Sequence, residues 1–136
     1  MRFARRVFRI AGVYGLLVTF PLYFMEQKMD LDYPPPITHA EYYYSFAGIT
    51  LVWQILFFLI ASDPARYRKL MILSVLEKVT LVPTFLILFP RGRFPVLWLP
   101  LMAIDLTLGI LFLISYIITK DPQGATTSGQ DAVQRE

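Results

Sequence analysis

The sequence predicts an all-α integral membrane protein, a four-helix bundle in up-down-up-down order with both termini cytoplasmic. Three observations carry that expectation. The apolar share is 56% of 136 residues and the aromatic share 15%, above the ~45–50% apolar of ordinary globular chains, and mean hydropathy is +0.52. The apolar residues gather into four segments, each near the ~20 residues a helix rising ~1.5 Å per residue needs to cross a bilayer. Lysine and arginine are divided unequally between alternate ends of those segments.

The first segment, near residues 7–25, begins after Arg2, Arg5, Arg6 and Arg9 and runs through Tyr14, Pro21 and Tyr23 into Met25-Glu26-Gln27. No small-x-small cleavage site follows it, so the expectation is a retained anchor and not a cleaved leader, although Arg5-Arg6 resembles a twin-arginine signal. The second, near 41–62, opens after the helix-breaking run Pro34-Pro35-Pro36. Thr38-His39-Ala40-Glu41 there fits a capping box with Thr38 as N-cap. The third, near 70–90, follows Asp63-Pro64, with Asp63 expected as N-cap and Pro64 at the first helical position, where a missing N–H costs nothing. The fourth, near 95–119, follows the break Pro90-Arg91-Gly92-Arg93. Residues 1–120 thus form a transmembrane domain, and the polar residues 121–136 a cytoplasmic tail expected to be disordered.

Orientation follows from the basic flanks. Arg2, Arg5, Arg6, Arg9, Arg66, Arg68, Lys69 and Lys120 fall on one side, and only Lys28, Arg91 and Arg93 on the other. Eight against three puts both ends in the cytoplasm. Tyr42, Tyr43 and Tyr44 are then expected at the outer headgroup level and Tyr67 at the inner one, where interfacial aromatics concentrate.

Composition also excludes chemistry. The chain has no cysteine and a single histidine, His39, which removes disulfides, thiolate nucleophiles, iron–sulfur clusters and histidine-rich metal sites. The net charge of +3 comes from helix ends and not from a basic face interleaved with aromatics, so nucleic acid is not an expected partner. No phosphate-binding glycine loop, nucleophile elbow or HExxH motif occurs, and neither a cofactor nor a catalytic motif is found. Glu26, Asp30, Asp32, His39 and Glu41 could approach a hard cation, but a solvated loop and a helix cap account for them.

The informative residues are polar ones inside the apolar segments, since insertion of a central Asp, Lys or Arg costs ~2.5–3.5 kcal/mol. Gln54 lies past the middle of the second segment, Glu77 and Lys78 lie in the third, and Asp105 near the centre of the fourth. With antiparallel segments side by side these four fall within roughly 8 Å of one another in depth, and Tyr14 falls in the same layer. Ser74, Glu77, Thr80 and Thr84 share about a 120° arc that should face inward. Pro83 should free the Val79 carbonyl and kink the third helix beside the layer. Ala11, Gly12 and Gly15, with Gly109 one turn after Asp105, offer close helix contacts.

The segments Arg9-Ile-Ala-Gly-Val-Tyr-Gly, Pro35-Pro36-Ile-Thr-His39-Ala-Glu41-Tyr-Tyr, Asp63-Pro-Ala-Arg66-Tyr-Arg68, Leu76-Glu77-Lys78 and Ile104-Asp105-Leu resemble a family of small bacterial membrane proteins of unassigned function. The resemblance covers about residues 9–119. It implies a multi-pass protein of the bacterial inner membrane and no activity. A looser likeness, of layout alone, is to the four-helix sterol isomerase and sigma-2 receptor group, which holds apolar ligands against membrane-buried carboxylates.

Three functions are compatible with these residues. An accessory or scaffold protein would have Glu77, Lys78 and Asp105 mutually satisfied and no cavity, with the lipid bilayer and a homo-oligomer or membrane-protein partner around it. A binder, carrier or acid-base enzyme for a lipid-like ligand would have a pocket beside Pro83 with a carboxylate exposed to it. An ion or proton pathway would need a polar track, whereas the fourth segment continues as Val96-Leu97-Trp98-Leu99. The first is the reading the sequence favours.

Overall fold

The computed structural model describes residues 1–119; Lys120 and the tail at 121–136 lie outside the described residues. The described chain is all-helical, with α1 Arg2–Thr19, α2 Glu26–Asp32, α3 Ala40–Ser62, α4 Arg68–Val79, α5 Leu81–Leu88 and α6 Leu99–Ile118. Short 3₁₀ turns at Phe20–Phe24, Phe89–Arg91 and Val96–Trp98 join them. Four helices are long and apolar enough to cross a membrane: Arg2–Phe24, Ala40–Ser62, Arg68–Arg91 and Leu99–Ile118.

The first helix starts earlier than hydropathy implies. Ala4, Val7, Phe8 and Ala11 recur at helical spacing and are buried, while Arg2, Arg5, Arg6 and Arg9 point outward. Packing on one face therefore carries the helix through the arginines. It tightens at Phe20–Phe24, where Pro21 supplies no N–H to continue the α pattern.

The capping box does not form. His39 is the N-cap of α3 and makes no side-chain capping bond. Glu41 is then only the second helical residue, one short of the position from which a glutamate reaches back, and its carboxylate meets His39 Nδ1 at 3.0 Å instead. Asp63 closes α3 rather than opening the next helix; the proline after it disfavours α geometry at Asp63, which takes φ −142° and ψ 84°. Asp63 Oδ1 does accept the Arg66 N–H at 3.2 Å, but regular helix resumes only at Arg68.

The third span is broken between Val79 and Leu81. Pro83 cannot donate to the Val79 carbonyl and its ring crowds that group, so Thr80 takes a 3₁₀-like φ −61° and ψ −22°. The span ends on Gly92 at φ 63°. Gly92 N–H donates to Phe89 O and Arg93 N–H to Leu88 O, each at 3.0 Å, the paired bonds of a glycine C-cap that needs the left-handed region.

The core lies where α1, α3 and α6 meet. Phe8 stacks on Phe112 with centroids 4.3 Å apart, and Phe57 closes the cluster at 5.0 Å from Phe112 and 6.0 Å from Phe8. Along α1 and α3 the contacts run in opposite sense: Arg5 donates to Ser62 O, Phe8 meets Phe57, Gly15 meets Gln54, and Leu22 O accepts from Tyr43. Outside this core the helices leave large apolar side chains exposed, among them Leu17, Ile49, Ile55, Leu86 and Ile117.

Candidate functional site: a buried ionic cluster between two helices

On α4 the inward stripe is Met71, Ser74 and Lys78, which are 0%, 0% and 6% exposed. Spacings of three and four put them on one helix face. On α6 the matching stripe is Leu108, Gly109, Phe112 and Ser115, with Asp105 one turn before Gly109. Gly109 lets the helices approach: a Cβ there would lie 3.3 Å from Lys78 Cβ. The lysine stem crosses this gap and places its ammonium against Asp105.

Lys78 Nζ lies 2.9 Å from Asp105 Oδ1 and 3.3 Å from Glu77 Oε2, with Glu77 Oε1 accepting a hydrogen bond at 3.4 Å. It also sits 5.6 Å from the centroid of the Phe57 ring, within the range where an aromatic face attracts a cation. One ammonium on α4 thus ties two carboxylates and an aromatic ring on α3. When all three groups are ionised the cluster carries one more negative than positive charge. Glu77 Oε2 is buried with no hydrogen bond, and Asp105 makes the shorter ionic contact of the two carboxylates.

The other two members of the expected layer are placed differently. Tyr14 is close enough for the charges of Asp105 and Lys78 to act on it. Gln54 is 1% exposed and packs between α1 and α3, not in the ionic cluster. Its Nε2 donates to Thr50 O at 2.8 Å, its Oε1 is buried without a partner, and the carboxamide fills the space above Gly15. The layer divides into an ionic half between α4 and α6 and an amide half between α1 and α3.

One expectation about α4 and α5 fails, and the pocket that a ligand binder would need beside Pro83 is not found among the described residues. Ser74 is buried, but Thr80 and Thr84 are exposed, because the stripe facing α6 runs through Lys78 and not through Glu77. The threonines need no inward partner: Thr80 Oγ1 donates to Glu77 O at 2.6 Å and Thr84 Oγ1 to Thr80 O at 3.5 Å, so their hydroxyls are satisfied on their own helix. Pro83 is also exposed, and neither it nor a carboxylate lines the cavity of about 280 Å³ that lies elsewhere, at the 22–46 and 95–98 segments.

The acidic residues of the first loop are engaged separately. Glu26 Oε2 accepts from the Tyr44 hydroxyl at 2.6 Å, Asp30 Oδ1 from the Ile37 N–H at 2.6 Å, and Asp32 pairs with Lys28 at 2.9 Å. The Asp32 hydrogen bond holds the Lys28 ammonium above the usual lysine range. Among the described residues no three acidic or histidine side chains converge on a metal position.

Sequence reasoning missed Phe57 as a partner of Lys78, since nothing in a run of apolar residues marks which ring faces a cation. It also missed Arg68, whose Nε donates to Thr119 O at 2.6 Å and Tyr116 O at 3.3 Å and whose guanidinium lies 4.0 Å from the Tyr116 ring. A signal did exist there: a basic residue opening one helix beside the carbonyl end of an antiparallel one is favoured by the helix dipole.

No family model, curated protein or solved structure matches the chain. The functional reading therefore rests on the geometry above.

Proposed function

We propose that this chain is a multi-pass protein of a bacterial inner membrane, with four spans in up-down-up-down order and both termini cytoplasmic, belonging with the small four-helix membrane proteins of unassigned function. Its role in this reading is that of an accessory or scaffold protein whose buried polar groups hold the spans in register while an outer face packs on another protein. The observation that carries the reading is the 2.9 Å Lys78–Asp105 contact: two costly intramembrane charges answer each other across α4 and α6.

Three further features agree with it. The reversed pairings of α1 with α3, and of Arg68 with the end of α6, fit the alternating order. The exposed apolar side chains of all four spans fit a lipid surround, because a water-facing surface would not carry them in such numbers. Finally, α5 contributes no buried residue and packs chiefly on α4 and the turn after it, leaving half a span free to meet a partner.

Because the chain has no cysteine, single cysteines test the arrangement directly. Gln27→Cys and Arg93→Cys should react with an impermeant maleimide in intact cells, and Ala65→Cys only after permeabilisation; labelling at 65 from outside would overturn the orientation. For the role, a photo-crosslinker at Leu86 on α5 should yield a protein adduct in native membranes, to a second copy or to another membrane protein. Adducts to lipid alone would sink the scaffold reading.

A further inference from the structure

A second candidate site lies away from the ionic cluster. Residues 20–37 fold back over the start of α3 and are tied to it by two bonds, Tyr43 hydroxyl to Leu22 O at 2.7 Å and Tyr44 hydroxyl to Glu26 Oε2 at 2.6 Å, while Ile37 N–H to Asp30 Oδ1 at 2.6 Å closes the segment on itself. Beneath this roof is the cavity of about 280 Å³, lined by Leu22, Met29, Ile37, Phe46, Pro95 and Trp98 among others. Its volume is at the low end of small-molecule sites, ~300–1,000 Å³. That is too small for a whole lipid, but it suits one end of an acyl chain.

Charge around the cavity is unevenly placed. The acidic groups of the roof are each occupied, by Tyr44, Ile37 and Lys28. Arg91 and Arg93, which precede the lining residue Pro95 in the chain, are exposed and no ion pair or hydrogen bond to their side chains occurs among the described residues. Arg93 is two residues from the lining residue Pro95, which keeps their Cα atoms within roughly 7 Å. A guanidinium there can reach a group at the cavity mouth, and its planar fork matches a phosphate. Phe24 and Val96, near the lining residues Leu22 and Pro95 in the chain, are 77% and 69% exposed, apolar surface that lipid would cover.

We infer that this cavity binds one acyl chain of an anionic phospholipid, with the headgroup phosphate held by Arg91 and Arg93. The inference rests on the membrane placement proposed above but not on the ionic cluster or the scaffold role. It uses different residues from both.

The two tryptophans make it testable. In Trp53→Phe protein held in detergent micelles, Trp98 is the single tryptophan and reports on the cavity wall. Titration with phosphatidylglycerol brominated on its acyl chains should quench Trp98 saturably, near one lipid per protein, and excess unbrominated phosphatidylglycerol should reverse it. Phosphatidylcholine with the same chains keeps the phosphate but adds a choline cation that the two arginines repel, and should need about tenfold more lipid, the scale of one charge-assisted interaction. Arg91→Gln with Arg93→Gln should erase that difference, and these exposed substitutions leave the core untouched. Equal quenching by both lipids, or quenching that rises with lipid mole fraction without saturating, would overturn the inference. Loss of the membrane placement would show separately, as release of the wild-type protein from membranes by alkaline carbonate.

Discussion

The Gln54 carboxamide occupies the space that a side chain on Gly15 would need: a Cβ at residue 15 would overlap Gln54 Oε1. Glycine is favoured here by close approach and not by backbone conformation, since residue 15 lies within α1, and any side chain there must push the end of the buried Gln54 aside. Gly15→Ala should therefore destabilise the protein by ~1–3 kcal/mol, the usual cost of overpacking. Adding Gln54→Ala should recover most of the loss, read as the thermal midpoint of the detergent-solubilised protein. Equal midpoints for the single and double variants would show that the two residues are not coupled.

A simple Lys78–Asp105 pair would make removal of either partner equally harmful. The cluster found has two carboxylates around one ammonium, and that reverses the arithmetic. Asp105→Asn leaves Lys78 matched by Glu77 on its own helix but removes the ionic contact across to α6, and should cost less than Lys78→Met, which leaves two carboxylates without their cation and should cost ~3–5 kcal/mol. Restoring accumulation in membranes to a Lys78→Met protein should require both Glu77→Gln and Asp105→Asn. Quantitative immunoblotting of membrane fractions checks the order, and a Lys78→Met protein as abundant as wild type would contradict it.

Among the described residues Gly92 is the one with positive φ, and a Cβ there would meet nothing within 4 Å. Any penalty for a side chain is thus conformational alone. Gly92→Ala should cost ~1–2 kcal/mol, while Gly92→Asn should cost less because asparagine tolerates the left-handed region. The ranking of thermal midpoints, glycine above asparagine above alanine, is the outcome to look for.

Arg68 clamps the end of α6 through carbonyl bonds to residues 116 and 119 and by stacking on Tyr116. Arg68→Gln should loosen the last turn of α6 and raise amide exchange at residues 115–119, leaving exchange near Phe57 unchanged. Arg68→Lys should rescue little, because a lysine keeps the charge but cannot supply the planar fork that both bonds and stacks. Full protection in the lysine variant would mean that charge alone holds the helix end.

Much of the architecture could be read before any coordinates. Hydropathy and helix length locate four apolar spans, because a helix that long and that apolar has few alternatives. Pro83 marks the break in the third one through the missing N–H. Boundaries were less legible. Arg2 to Arg9 are helical because Ala4, Val7 and Phe8 between them are buried in a core that hydropathy averaging dilutes. The capping box at Thr38 failed by one residue, a distance over which the Pro34–Pro36 run gives no guidance. The short α2 was expected as open loop, since Met29 acquires meaning only when it lines one cavity with Pro95 and Trp98 from a distant part of the chain.

For the polar groups the division is clearer still. That Glu77, Lys78 and Asp105 must find partners follows from the amino-acid sequence alone, because an apolar surround leaves an unpaired charge nowhere to go. Which partner each one takes was settled only by packing. The side of α4 that faces α6 is chosen by the fit of Lys78 over Gly109, and this turns Thr80 and Thr84 outward. The fit of Gln54 over Gly15 in turn draws the amide away from the ions it was expected to join. Depth along a helix is a one-dimensional quantity that residue numbers report. Rotation about its axis depends on the shapes of its neighbours, and only the tertiary structure supplies those.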